Sequence, residues 1–385
     1  MASEQQLIDQ AREWSDRLPE HSEDFEKNRR LPAEIASQFA ESGFFHMLVP
    51  QEYGGFEVHP KTLVEVIKLI ASGDGSAGWN VMIGATTGLL SASLSEKFAR
   101  EIYGTGPGPL TVGVTAPLGR ADKVDGGYQV TGRWPFASGC QNADWICGGS
   151  FIFEGDRQLI NDKGAPDTHL MLFKTSEVDI EDTWHVAGLR GTGSHHFNVK
   201  EQFVPEGRSV ILGGRARIKK PLYQFPMLGL LALGVSAVSL GIGYHALDAF
   251  KDLAGVKKPT GSRKTLVERP LVQADVAKSI ADLRSAESFI KEIIDEAWSI
   301  AKTGERLSTE IKASLRLAAV NATHRSVAAV DRLYQAGGGS SVYENSPLQQ
   351  CFRDVHVTTQ HIMVAPPIYE VAGRVELGLP PRSLL

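Results

Sequence analysis

Two side chains in this 385-residue chain stand out for the chemistry they could do: His361, near the C-terminal end, and Arg263, in a loop of Gly, Ser and Lys. An imidazole titrates near working pH and can hydrogen-bond a substrate hydroxyl or N–H. A planar guanidinium can pair two phosphate oxygens at once, and Gln273 follows near the first turn of the next helix. Gly337, Gly338 and Gly339 form a turn without side chains, where backbone N–H groups can come close to a pyrophosphate or a flat ring. Metal chemistry is not expected. His356 and His361 are five residues apart, about 140° around a helix, and Cys140, Cys147 and Cys351 have neither zinc nor disulfide spacing. Gly241-Ile-Gly243-Tyr-His-Ala246 matches G-x-G-x-x-A, but it lies inside a helical run rather than between a strand and a helix, so no nicotinamide site is expected there.

These residues need a scaffold, and the chain is long enough for two or three packed segments. Hydrophobic residues make up 42% and charged residues 22%, as in an average globular protein. A net charge of -5 argues against a nucleic-acid partner. The apolar run Met227 to Gly243 is short for a membrane span and rich in Gly and Ser, so a buried helix is expected and no membrane association. Free cysteines and the absence of a signal-peptide pattern suit a cytoplasmic location. Residues 1–110 read as helical, with Ile35, Phe39, Leu63, Val66, Ile67 and Ile70 near 3.6-residue spacing. Residues 111–215 read as β-rich, with Asp125-Gly-Gly127 predicted to turn a hairpin through positive φ angles. Residues 216–385 read as four helices, about Pro226 to Leu253, Val267 to Thr303, Thr309 to Ala336 and Leu348 to Ala365. The fold class is α+β: a helical domain, a β-barrel or sandwich, and a four-helix bundle.

The stretch from Gln335 through Gly337-Gly338-Gly339 to Arg353-Asp354 and His361 resembles the flavin-embracing end of the acyl-CoA dehydrogenase superfamily, whose α, β, α order the whole chain shares. In that resemblance Trp134-Pro-Phe136-Ala-Ser138-Gly139 corresponds to the segment lying against the isoalloxazine ring, with Ser138 offering its hydroxyl toward flavin N5. Arg263 and Gln273 correspond to the loop and helix that contact flavin phosphate across a subunit interface, completed by Gly337 and Gly338. Trp79, in Gly73-Asp-Gly-Ser76-Ala-Gly78-Trp79, corresponds to an aromatic residue of the substrate pocket. A helix-packing tryptophan is the equally plain reading of Trp79, and Gly191-Thr-Gly-Ser194 resembles the superfamily segment at the β-domain exit that lies near the flavin, with a plain turn at least as good a reading.

The departures are as informative. Where a dehydrogenase commonly has a glutamate, eight residues after the aspartate, this chain has Ile362, preceded by His361, and Leu222 to Tyr244, the other place for such a base, contains no Asp or Glu. The resemblance therefore points to the two-component flavin monooxygenases of this fold. It implies reduced FMN or FAD from a separate NAD(P)H:flavin reductase, O2 as co-substrate, and a C4a-hydroperoxide that hydroxylates a phenolic or indolic small molecule. His361 and Ser138 are the expected catalytic residues, Trp134, Phe136, Ser138, Arg263, Gln273, Gly337 and Gly338 the expected flavin contacts, and Trp79 and His361 the expected substrate contacts, in a homotetramer. The alternatives are an acyl-CoA dehydrogenase or oxidase with another base, and a flavin-binding protein without chemistry.

Overall fold

The computed structural model describes residues 3–104, 108–162, 164–211 and 214–383. Among these residues six α-helices come first: α1 (Glu4–Arg17), α2 (Ser22–Asn28), α3 (Ala33–Glu41), α4 (Pro60–Gly73), α5 (Gly75–Thr87) and α6 (Glu96–Tyr103). Asp74 both ends α4 and caps α5, its Oδ1 accepting from the Ala77 N–H at 2.9 Å. Burial covers almost all of α5, because Gly78 lets Ala71 of α4 come close; a Cβ there would lie 2.5 Å from the Ala71 Cβ.

Among the described residues eight strands follow as one sheet: β1 (Thr111–Val124), β2 (Gly127–Ala137), β3 (Trp145–Glu154), β4 (Arg157–Gln158), β5 (Thr168–Lys174), β6 (Asp179–Glu181), β7 (His195–Pro205) and β8 (Ser209–Ile211). Their order is β6-β7-β2-β1-β3-β5-β8, with β4 on β3; the β1–β3 pair is parallel and the rest antiparallel. The hairpin predicted at Asp125-Gly-Gly127 joins β1 to β2 with Val124 opposite Gly127. Of its residues only Gly126 takes a positive φ, 74°.

The C-terminal bundle consists of α7 (Met227–Val256), α8 (Pro270–Thr303), α9 (Thr309–Gly337) and α10 (Pro347–Thr358), with α11 (Pro367–Glu376) against α9. By length and composition α7 could cross a membrane, but it is mostly buried, packed on α4, α5, α9 and α10. Gly241 brings α4 and α7 together: a Cβ there would sit 2.4 Å from the Lys68 carbonyl oxygen. The apolar pattern carries the last helix of the bundle to Ala365, whereas the structure ends it at Thr358. The Thr358 and Thr359 hydroxyls bond back to the Val355 and His356 carbonyls at 2.7 and 2.6 Å. Pro366 and Pro367 then exclude a continuing helix. His361 therefore stands on a turn and not on a helical stripe with Val357 and Thr358.

Candidate active site

The site begins where β2 breaks register. Trp134 pairs with Phe197 and Ala137 with His195, so β2 carries one extra residue there, a bulge at Pro135-Phe136. Pro135 has no N–H for the ladder, and Phe136 turns into the left-handed region at φ 68°, a strain of roughly 1 kcal/mol. The result is a phenylalanine 64% exposed, edge-on to Trp184 and His196 with ring centroids 6.3 and 6.1 Å away. Two residues on, the backbone tightens as the Ser138 N–H donates to the Phe136 carbonyl at 3.0 Å. Gly139 (φ 77°) follows, where a Cβ would press on Asn80 Oδ1 at 2.8 Å.

This turn delivers Ser138 beside residues from three other segments. The Trp79 indole Nε1–H of α5 donates to Ser138 Oγ at 3.0 Å. Ser138 Oγ lies 2.6 Å from Ser194 Oγ, which lies 2.7 Å from Thr192 Oγ1. The ring of His361 meets the Trp79 ring edge-on, centroids 5.6 Å apart. His361 Nδ1 accepts the Met363 N–H at 3.3 Å, which assigns the ring proton to Nε2 in the neutral form. Burial, and then the nearby Arg316 charge, push the His361 pKa down to about 4 rather than leaving it near working pH as the residue type suggests. The cluster is thus uncharged at neutral pH: an imidazole donor, an indole and three hydroxyls.

Nothing in the sequence signals that the Ser194 hydroxyl reaches Ser138, or the Thr192 hydroxyl Ser194. They belong to Arg190-Gly-Thr-Gly-Ser194, a tight turn pinned from two sides. Asn80 Nδ2 reaches the Gly191 carbonyl at 3.3 Å. Asp354 Oδ1 of α10 accepts the Leu189 N–H at 2.6 Å. Arg353 Nη2 meets Glu26 Oε2 at 2.8 Å and Nη1 donates to the Ala187 carbonyl. The Arg-Asp pair therefore holds the turn that carries Ser194, a role visible in the sequence only as a motif.

Asp74 and Asp354 are both buried, and burial pushes Asp354 well above the usual carboxylate range and Asp74 up to about 6. Asp74 Oδ2 accepts from Ser22 Oγ at 2.7 Å and from Gln350 Nε2 at 3.3 Å. Because its folded pKa exceeds its unfolded one, the folded state holds more protons between about pH 4 and 6, and stability from Asp74 falls as pH rises through that window. His46 and His361, both lowered to about 4, act in the opposite sense between about 4 and 6.5. Asp74→Asn is therefore expected to remove the Asp74 contribution alone: relative to wild type, the variant gains stability as pH is raised from 4 to 7. Urea unfolding of both proteins at pH 4, 5, 6 and 7 measures this; parallel curves would refute it.

Trp134, expected to face the flavin, is instead a core residue. Its ring is 0% exposed, stacked on Phe197 at 4.8 Å, with Nε1 donating to the Gly149 carbonyl at 2.7 Å. The cause is strand alternation: Trp134 points into the β domain, and only the bulge re-aims Phe136 outward. Arg263 and Gln273 belong to the loop between α7 and α8 and the first turn of α8, and Gly337 and Gly338 to the end of α9. Arg263 is exposed on the loop between α7 and α8, and Gln273 Nε2 bonds the Val267 carbonyl at 3.0 Å. Lys257, at the root of that loop, donates to the Gly337 carbonyl, and Gly338 takes φ 54°. No contact joins this group to Ser138 or His361 among the described residues. Ile362, at the dehydrogenase glutamate position, is 71% exposed. Among the described residues no group of three His, Cys, Asp or Glu side chains could hold a metal.

An exposed aromatic beside a hydroxyl suits a flavin ring, and a cationic, glycine-lined turn suits its phosphate. The architecture defines the class. Residues 1–101 match the acyl-CoA dehydrogenase N-terminal domain and residues 233–366 the acyl-CoA dehydrogenase C-terminal domain. The chain is 32% identical over 358 residues to an indole-3-acetate monooxygenase of Pseudomonas putida, covering 93% of this chain and 90% of that protein. It is 31% identical over 363 residues to HsaA, a flavin-dependent monooxygenase oxygenase subunit of Mycobacterium tuberculosis, covering 92% and 90%. The structure of XiaF from Streptomyces in complex with FADH2 and glycerol superposes with a TM-score of 0.90, 25% identity, and coverage of 99% of this chain and 97% of that one. The chain belongs to the two-component flavin-dependent monooxygenases of the acyl-CoA dehydrogenase superfamily. It is the oxygenase component of an aromatic hydroxylase, using reduced flavin delivered by a separate reductase.

Proposed function

We propose that this oxygenase hydroxylates a small aromatic molecule that carries a phenolic or comparable ring oxygen, held against the adjoining rings of Trp79 and His361. The observation that carries the reading is the neutral His361 with its proton on Nε2, a donor suited to an oxygen acceptor and unsuited to an indole N–H. Trp79 supplies a flat apolar wall. Phe136 lies against the flavin ring and Ser138 against its N5, while the flavin supplies the oxygen-activating chemistry when bound. Ser138, Trp79 and the surrounding buried side chains exclude water from that face. Arg263, Gln273, Gly337 and Gly338 hold the flavin phosphate, with Arg263 and Gln273 contributed by a neighbouring copy in a homotetramer. Exposed Val256, Val267 and Leu271 on the same segment support burial there in an assembly. FMN and FAD both suit the site, in a cytoplasm that keeps the buried Cys140, Cys147 and Cys351 reduced.

The test is a product assay with the full chain, a flavin reductase, NADH and either flavin, run on matched phenols, their deoxy analogues and indoles. Hydroxylation of phenols at least tenfold faster than of the deoxy analogues is the expected result. Equal rates on both, or a preference for unsubstituted indole, would remove the assigned role of the ring oxygen.

A further inference from the structure

We propose that Ser138, Ser194 and Thr192 form a hydroxyl chain of fixed direction, which leaves Ser138 only acceptor capacity toward its ligand and so makes the site select reduced over oxidised flavin. The inference rests on the reading that Ser138 faces flavin N5.

Each hydroxyl has one proton and two lone pairs. The chain ends on the Leu189 carbonyl, which can only accept; it receives Thr192 Oγ1 at 2.8 Å and the Trp184 indole N–H at 3.1 Å. With its proton committed there, Thr192 can only accept from Ser194, 2.7 Å away. Ser194, its own proton thus used, can only accept from Ser138 at 2.6 Å. At the other end Trp79 Nε1 is a donor and takes one lone pair of Ser138. Ser138 has no proton left, and one lone pair remains. Reversing the Ser138–Ser194 bond would leave Thr192 and Ser194 with lone pairs facing each other across 2.7 Å. All three hydroxyls are buried, so bulk water does not relieve that contact. Leu189 in turn is held by Asp354 and Thr192 caps its own turn, which keeps the terminal carbonyl in place.

Flavin N5 carries a proton when reduced and only a lone pair when oxidised. An acceptor-only Ser138 pairs with the first and opposes the second, so discrimination comes from one good contact and one repulsive one. Ser194 and Thr192 touch no ligand; they are positioning residues that set the direction of the Ser138 proton.

The experiment is anaerobic titration of the full chain with oxidised and with dithionite-reduced FMN, repeated with FAD, to give the ratio of the two dissociation constants. Ser194→Ala frees the Ser138 proton to turn toward oxidised N5, and Thr192→Val does so one link further away by letting Ser194 donate backward. Both are expected to lower the preference for reduced flavin by about tenfold, and Thr192→Ser is expected to retain the wild-type ratio. Loss of packing alone would weaken both redox forms together and leave the ratio unchanged. A wild-type ratio in both Ser194→Ala and Thr192→Val, with Ser138→Ala altered, overturns the directed chain. A wild-type ratio in Ser138→Ala as well overturns the placement of Ser138 at N5, and the inference with it.

Discussion

Replacing His361 with Ala is expected to lower the hydroxylation rate by roughly 100-fold, the low end of what a positioned proton-donating group contributes, while NADH-driven oxygen uptake continues and appears as hydrogen peroxide. The two quantities separate because His361 is placed to hold substrate rather than flavin: its ring meets Trp79, and Ser138 is reached through the Trp79 indole. His361→Gln, which restores an N–H donor at similar length, should recover part of the coupling. The pH dependence supplies a second sign. With its pKa held down to about 4, His361 stays neutral across the neutral range, and the product-to-peroxide ratio should be flat from pH 8 to about 5. Product yield within twofold of wild type in His361→Ala, or a titration limb near 6.5 that this variant abolishes, would contradict the assignment.

Trp134→Ala is expected to cost roughly 3–5 kcal/mol of stability, a large share of the total for a protein of ordinary stability. The ring fills a space that three glycines leave for it. A Cβ on Gly119, Gly132 or Gly148 would lie 2.3, 2.6 or 2.6 Å from it, so the cavity cannot be closed by its neighbours without strain. Loss of the Nε1 bond also leaves the Gly149 carbonyl without that donor. Trp134→Phe keeps part of the ring and should fall in stability by less, with flavin affinity unchanged. Urea unfolding together with flavin titration measures both. Unaltered stability with weakened flavin binding in Trp134→Phe would return Trp134 to the cofactor site.

The His361 motif and the Trp134–Ser138 motif differ in what hides their geometry from the linear sequence. The place of His361 beside a missing glutamate is a linear fact, but its tautomer and its distance from a helix depend on Met363 and on Pro366 and Pro367 beyond it. Trp134 and Phe136 are two apart and chemically alike, so alternation alone assigns them one face. A single extra residue reverses that, because the side-chain period of a strand is two.

What the sequence determined by itself was local and periodic: the α, β, α succession, the buried character of α7, the Asp125-Gly126 hairpin, and the absence of a carboxylate where a dehydrogenase keeps its base. These depend on spacing and on residue type, which the chain displays directly. The tertiary structure alone decided that Ser194 reaches Ser138 across 56 positions, that Asp354 holds Leu189 across 165, and that His361 is kept neutral. Hydrogen-bond direction and desolvation are properties of what surrounds a group, and those surroundings come from segments far apart in the chain.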